Sequence, residues 1–373
     1  MNKENVVHEP LFHIVKANIL PWWKKLLIYS ISILIALTLT SIFCALSSDK
    51  GKSPFEMFGS MFIGIFGTEK KIWLFLRDTC LLLGVSLAIV PAFKMKFWNL
   101  GANGQILMGG LACYVCLMNF QSLPNIVLWL IMFVSSIVMA MVWAMIPAIF
   151  KAFFKTNESL FTLMMNYLAA GIVSVCITIW APGGSGSLSP INKGVLPVIG
   201  KSYFYLLVII VVAILTFIMY FYLKDSKHGY ELAVVGESEN TAKYIGVNVK
   251  KVVIRTLALS GAICGLIGLL LVGSINHTIS TDTANNMGFT AIMTAWLAKF
   301  NPIIMIGSCA LITFVSRGMG QVRQDFGFYN NALANIVLGI IYFFIIGCEF
   351  FISYKLVFTK KNNKGQKNKE EKI

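Results

Sequence analysis

Residues 224–251 read KDSKHGYELAVVGESENTAKYIGVNVKK, and they separate a pair of long apolar runs, YFYLLVIIVVAILTFIMYFYL at 203–223 and VVIRTLALSGAICGLIGLLLVGSI at 252–275. Each flanking run has the roughly 20 residues that an α-helix needs to cross a hydrocarbon layer about 30 Å thick. The fold turns on that contrast, apolar spans with a polar island between them. The island carries Lys224, Lys227, Lys243, Lys250 and Lys251 together with Asp225, Glu231, Glu237 and Glu239. Gly229, Gly236 and Gly246 cut it into pieces that suit two short helices. A solvated basic loop is the plain reading of such a charge run. A connector this long and this punctuated also has the form of a functional loop.

Working outward, the whole chain is 57% apolar and only 13% charged, against roughly 25% charge in soluble domains. It is an integral membrane protein, and helices are the expected spanning element because each satisfies its own backbone hydrogen bonds. Further spans are expected at 26–46, 74–93, 104–120, 125–149, 159–180 and 332–355, with a shorter pair, 289–299 and 303–316, around Asn301-Pro302. Eleven residues rise only about 16 Å as a helix, so the first of that pair reads as a half-span. The expectation is an all-α, polytopic membrane protein of about ten transmembrane helices, including a short or broken hairpin. Residues 26–355 form the transmembrane domain, between an amphipathic lead-in (1–25) and a basic tail (356–373) without apolar periodicity. The run 26–46 is long for a cleavable signal segment. Residues 53–67 read as an interfacial or re-entrant helix. Residues 181–201, with Pro182-Gly183-Gly184-Ser185-Gly186-Ser187 and then Pro190 and Pro197, read as an irregular external loop.

The formal net charge of +15 is read as the excess of Lys and Arg on cytoplasmic loops, not as a nucleic-acid surface. With the N-terminus in the cytoplasm, 22 Lys and Arg residues fall on the inner side and 8 on the outer. The count favours cytoplasmic N- and C-termini and makes 224–251 a cytoplasmic island. Attraction to anionic lipid heads is the expected role of the tail.

Catalytic signals are weak. Gly51-Lys52-Ser53 ends like a phosphate-binding loop but has Leu46 where glycine is required, and Gly200-Lys201-Ser202 has Val195 there. The chain is therefore expected to be no enzyme and to bind no cofactor. His8, His13, His228 and His277 lack ligand spacing, and Cys113 and Cys116 form a lone CxxC inside an apolar run, better read as small core residues than as a metal site. Asp78, Glu158 and Glu349 lie near span ends, too few for an intramembrane proton relay. What remains polar in or beside the spans is neutral amide: Asn99, Asn103, Gln105, Asn166 and Asn335. Such amides either bond between helices as packing glue or line a path for a neutral, hydrogen-bonding solute. Small residues from Ser260 to Gly268 serve close helix packing.

Three runs together resemble a known family. Phe97-Trp98-Asn99-Leu100-Gly101-Ala102-Asn103-Gly104-Gln105 is similar to the F-N-I-G-A-E-G-Q motif of permease subunits in bacterial ABC importers of the ribose, simple-sugar and purine-nucleoside class. Asn157-Glu158 with Thr162-Leu163-Met164-Met165-Asn166-Tyr167 resembles their N-E and T-L-M-x-N-Y run. Gly229-Tyr230-Glu231-Leu232, Val235-Gly236-Glu237 and Ala242-Lys243-Tyr244-Ile245-Gly246 resemble their G-x-E-L-R-A-V-G-E-N loop and its continuation. Ser260 to Gly268, Gly288-Phe289 and Asn301-Pro302 follow in the family's order. Asn103 stands where the family has an acid, Ala233 where it has Arg, and Cys80 where Pro often follows Arg77.

The resemblance implies a bacterial inner-membrane permease paired with a second homologous permease, a cytoplasmic ABC ATPase that hydrolyses Mg-ATP, and an extracytoplasmic substrate-binding lipoprotein. It implies that the island docks on the ATPase through Gly229, Tyr230, Glu231, Leu232, Val235, Gly236, Glu237, Tyr244 and Gly246, with Tyr230, Leu232, Val235 and Tyr244 as apolar anchors. Asn99, Asn103, Gln105 and Asn166 are the path candidates. Trp98 is either a base-stacking residue or an interfacial anchor. The rival reading is an ion-coupled secondary transporter of a small neutral solute, which calls for inverted repeats and membrane-embedded coupling acids.

Overall fold

The computed structural model describes residues 12–16, 21–48, 50–181, 183, 186–201, 204–328 and 332–358. In chain order its elements are strand β1 (Phe12–Lys16) and helices α1 (Trp22–Leu46), α2 (Pro54–Phe66), α3 (Glu69–Lys94), α4 (Ala102–Asn119), α5 (Asn125–Phe154), α6 (Glu158–Trp180) and α7 (Leu206–Asp225). Two short helices, α8 (Lys227–Glu237) and α9 (Glu239–Tyr244), occupy the island. Then come α10 (Val249–Leu270), a π turn (Leu271–Asn276), α11 (Met287–Leu297), α12 (Pro302–Phe326), α13 (Ala332–Ser353) and strand β2 (Tyr354–Phe358). The basic tail beyond Phe358 lies outside the described residues.

Seven helical stretches among the described residues are long and apolar enough to cross a membrane: 27–46, 69–94, 125–154, 158–180, 206–225, 249–276 and 302–326. The chain is a polytopic, predominantly helical membrane protein. Helices α4 and α13 stand where two further spans were expected; Asn103, Gln105 and Asn119 make α4 the more polar of the two. In the expected short pair, only the first member is short. Helix α11 has 11 residues, but α12 has 25 and passes straight through Arg317 and Arg323, the charges at which the sequence suggested a stop. The helix carries charge here because its polar side chains find partners: Asp78 on α3 pairs with both Arg317 and Arg77, and Gln321 donates to Asp325 at 3.0 Å.

The chain divides into two compact units, residues 1–57 with 326–373, and residues 58–325. In the first, α1 packs on α13, where Ser32 Oγ donates to the Phe344 carbonyl at 3.0 Å. Its strands β1 and β2 pair antiparallel with Ile14 opposite Leu356. The chain is all-α in class, as expected, and this two-stranded ribbon is a local departure from helix. The sequences FHIVK and YKLVF are short, β-branched and aromatic, and each bonds to a partner distant in sequence that no local pattern announces.

In the second unit α10 is central, packing on α5, α4 and α3. Its small residues permit this approach, as expected: a Cβ at Gly265 would stand 2.5 Å from the Ser136 carbonyl on α5, and one at Gly268 2.5 Å from the Ile106 carbonyl on α4. The helices of the island are set by capping chemistry. Ser226 accepts from Gly229 N, Ser238 from Thr241 N and Asn248 from Lys251 N, starting α8, α9 and α10 in turn. Gly246, at φ +84°, makes the turn after α9.

Candidate functional site

Helix α3 ends at Lys94 and α4 starts at Ala102, and the seven residues between them are irregular. In a membrane protein such backbone needs partners, because unpaired N–H and C=O groups cost several kcal/mol in hydrocarbon. The amides supply them. Asn166 on α6 reaches across with both ends of its side chain, Oδ1 accepting from Gly104 N at 2.8 Å and Nδ2 donating to the Leu100 carbonyl at 2.8 Å. One turn earlier on α6, Thr162 Oγ1 accepts from Leu100 N at 3.1 Å. Asn99 is fully buried; its Oδ1 accepts from Gly101 N at 3.0 Å, and its Nδ2 donates to Ser260 Oγ on α10 at 3.1 Å. Asn103 Oδ1 accepts from Gly288 N at 2.8 Å, joining the first turn of α4 to the first turn of α11. Gly288 is the residue this joint requires: a Cβ there would lie 2.8 Å from Asn103 Oδ1 and 2.9 Å from Asn103 N.

Asn99, Asn103, Gln105 and Asn166 therefore all bear on one segment, and in this conformation Asn99, Asn103 and Asn166 are occupied with backbone or side chains of the chain itself. Gln105 is different. Its Nε2 donates to Asn99 Oδ1 at 3.4 Å, while its buried Oε1 has no hydrogen-bond partner among the described residues. A buried amide oxygen left unpaired costs about 1–3 kcal/mol. Trp98 stands apart from the amides, partly exposed, with its ring centroid 5.5 Å from that of Trp296 and 5.5 Å from that of Phe93. Sequence reasoning grouped the amides but missed their partners Thr162, Ser260 and Gly288 as members of the same device. All three lie in runs already quoted, and only the fold shows what they touch.

The island is the other half of the site. Two of its four expected anchors point inward. Leu232 and Val235 are buried, and Gly236 faces the end of α3, where a Cβ would overlap the Lys94 carbonyl and stand 3.4 Å from Met95 Cα. Gly229 is likewise packed, 2.7 Å from the Tyr222 carbonyl to an added Cβ. These four residues hold α8 on the bundle and are not available to a docking partner. The cause is amphipathicity: residues 228, 232, 235 and 236 share one face of the helix. The opposite face and α9 remain open, with Tyr230 63% exposed, Tyr244 93% and Ile245 50%, and with Ala233 and Glu237 exposed beside them and Glu231 half-buried. Ile245, which the sequence reading did not single out as an anchor, is exposed beside Tyr244.

His228 was passed over as one of four scattered histidines, yet it is buried at the root of the island. Its Nδ1 faces the Tyr222 hydroxyl on α7, and its Nε2 lies 3.3 Å from Thr256 Oγ1 on α10. Thr256 gives its own hydrogen to the Val252 carbonyl at 2.6 Å, so it accepts from Nε2–H, and Nδ1 accepts from Tyr222. Burial, and then the nearby Arg255, push the His228 pKa below its ordinary value, against the opposite pull of Glu231.

Comparison with known proteins sets these features in context. Residues 72–346 match the family described as branched-chain amino acid transport system / permease component. The chain is 26% identical to the glucose ABC transporter permease protein of Haloferax volcanii, over 83% of this chain and 85% of the relative. It is 25% identical to the guanosine ABC transporter permease protein of Bacillus subtilis, over 86% and 93%. It is 23% identical to the nucleoside ABC transporter permease protein of Lactococcus lactis subsp. cremoris, over 86% and 92%. The matched span contains the amide-held segment, α8, α9 and α10.

Proposed function

We propose that this chain, which belongs to the branched-chain amino acid transport system / permease component family and is the membrane-spanning permease subunit of an ATP-binding-cassette importer, carries a nucleoside or a simple sugar. The relatives named for glucose, guanosine and nucleosides support that solute class. So does a buried polar cluster built from neutral amides, which suit hydroxyls and base edges better than charged groups.

The observation that carries the reading is the open face of α8 and α9. Tyr230, Tyr244 and Ile245 are large apolar side chains held outside the spans on a helix pair whose other face is fixed to the bundle. Rigid aromatic anchors ringed by Glu237, Glu239 and Lys243 have the make-up of a protein-docking surface. The occupant we assign to it is the importer's cytoplasmic ATPase, with α8 and α9 on the cytoplasmic side, both termini there too, and about ten membrane-crossing segments once α4, α11 and α13 are included. A second homologous permease and an extracytoplasmic binding lipoprotein complete the assembly. Gln105, with its spare acceptor, stands first in the solute path, and Asn99, Asn103 and Asn166 shape the segment that carries it.

The test is co-purification of the ATPase with the full chain. Tyr244→Ala combined with Ile245→Ala is expected to weaken the association at least about tenfold, as loss of central anchors does. Uptake of labelled guanosine and of labelled glucose by the reconstituted assembly separates the two solute classes. Uptake driven by an ion gradient with no ATPase bound would overturn the reading in favour of a secondary transporter.

A further inference from the structure

Helix α8 meets three spans, and each contact leaves little room for slip. Gly236 lies on the last carbonyl of α3, that of Lys94, with 3.2 Å from an added Cβ to its carbonyl carbon. Gly229 lies on the Tyr222 and Leu223 carbonyls at the end of α7, 2.7 and 2.8 Å from an added Cβ. The His228 ring ties the Tyr222 hydroxyl of α7 to Thr256 of α10. Thr256 in turn stands 4.0 Å from Met95 Sδ, in the residue that follows α3.

From this junction the chain runs directly into the amide-held segment. Lys96 turns in the left-handed region at φ 58°, and three residues later Asn99 is fastened to Ser260, one helical turn along α10 from Thr256. The N–H groups of Leu100, Gly101, Gly104 and Gln105 are all bonded, to Thr162, Asn99, Asn166 and the Gly101 carbonyl. A segment with its backbone groups paired in this way has little slack, so displacement at one end is carried to the other as a body instead of being absorbed. Its far end is the first turn of α4, which bears Gln105.

We propose that Gly236 and His228 are positioning residues that key α8 to the end of α3 and to α10, so that a displacement of α8 is delivered to residues 97–104 and shifts Gln105. This rests on the reading of α8 as the ATPase-docking helix. Gly236 acts by lacking a side chain, which lets α8 sit directly on the α3 terminus. His228 acts by fixing the distance between α7 and α10 beneath α8.

Hydrogen–deuterium exchange on the complete importer in lipid nanodiscs tests this, comparing peptides that cover residues 97–105 without nucleotide and with Mg-ATP trapped by vanadate. In the wild type the exchange rate of this segment is expected to change by about tenfold on trapping. In Gly236→Ala that nucleotide-dependent difference should shrink to within about twofold, while the ATPase stays bound and still hydrolyses ATP. A merely structural glycine would alter exchange equally in both nucleotide states and leave the difference intact; that result overturns the proposal. If Gly236→Ala does not fold, His228→Phe, which keeps the ring and removes both hydrogen bonds, must give the same loss. An ATPase that does not associate with the wild-type chain overturns the docking reading and this inference with it. A bound, active ATPase with an unresponsive 97–105 segment in the wild type overturns this inference alone.

Discussion

Two irregular segments flank the run from α10 through the π turn, 97–104 beside Ser260 and 187–196 beside 273–280, and their N–H groups are satisfied in different ways. Residues 97–104, at the α8 end, depend on side chains: Asn99, Thr162 and Asn166 supply the partners for its backbone. Residues 187–196 run alongside 273–280, and here the backbone N–H groups bond to backbone: Leu188 N to the Ile279 carbonyl at 3.1 Å, Ile191 N to the His277 carbonyl at 2.9 Å, and Leu196 N to the Gly273 carbonyl at 2.9 Å, while Thr278 Oγ1 donates to the Leu188 carbonyl. Tyr114 and Trp129 add donors, to the Ser189 carbonyl at 2.9 Å and the Val195 carbonyl at 3.0 Å. Backbone pairing is indifferent to side-chain identity, so many sequences hold such a strap. A segment held by named amides is vulnerable at each of them, and it is the better place for a device that must respond to a neighbour.

Removing Asn166 should expose the difference most. Asn166→Leu keeps the branching at Cγ but strands Gly104 N and the Leu100 carbonyl, and is expected to destabilise the chain by about 2–4 kcal/mol. Thermal unfolding in detergent measures it. Asn166→Asp, which keeps the acceptor for Gly104 N and loses the donor to Leu100, should cost less. Next comes the joint between α4 and α11. Gly288→Ala places a methyl 2.8 Å from Asn103 Oδ1, and overpacking of that kind costs about 1–3 kcal/mol. Asn103→Asp should be milder than Asn103→Leu, since a carboxylate oxygen accepts from Gly288 N and stands in the first turn of α4, where negative charge is favoured.

The two segments also differed in how far they could be read beforehand. The amide cluster was legible as a group because side-chain devices leave residues in the sequence: Asn99, Asn103, Gln105 and Asn166 stand out among apolar neighbours. Their partners were not, because Thr162, Ser260 and Gly288 look like ordinary small residues until the helices are packed. The strap at 187–196 read only as irregular, since its glycines and prolines announce a break and its backbone partners carry no signature. The same blindness hid the pairing of β1 with β2, and it let the run of charges at Arg317 and Arg323 end α12 too early. In the island, the glycines foretold two helices, while the choice of buried face, which turned Leu232 and Val235 inward, needed the positions of α3 and α10.

At the strap a single side chain should matter less. Trp129→Phe removes the indole donor to Val195 and Gly194 but leaves the three backbone bonds in place, so a loss of about 1 kcal/mol is expected. A cost equal to that of Asn166→Leu would break the contrast between the two segments.

The mildest effect is a pH dependence carried by the α8 end. His228 is buried at the α8 end with its pKa lowered by desolvation and by Arg255, opposed by Glu231, and with Tyr222 facing Nδ1. A histidine whose folded pKa lies below its unfolded value binds fewer protons when folded than when unfolded, so stability falls as pH drops. The loss begins near the ordinary histidine value of 6.5 and continues down to the lowered folded value. Above that window the contribution is flat. His228→Asn should reduce this slope, leaving the part that the half-buried His277 gives in the same direction, and the stability at pH 8 should be lower than in the wild type, because Asn cannot span both Tyr222 and Thr256. Thermal unfolding of both proteins from pH 8 to pH 5 reads the slope directly. If the wild type and His228→Asn lost stability in parallel across that range, the titrating group would lie elsewhere, and the α8 end would be held by packing of Gly236, Gly229 and Leu232 without help from the imidazole.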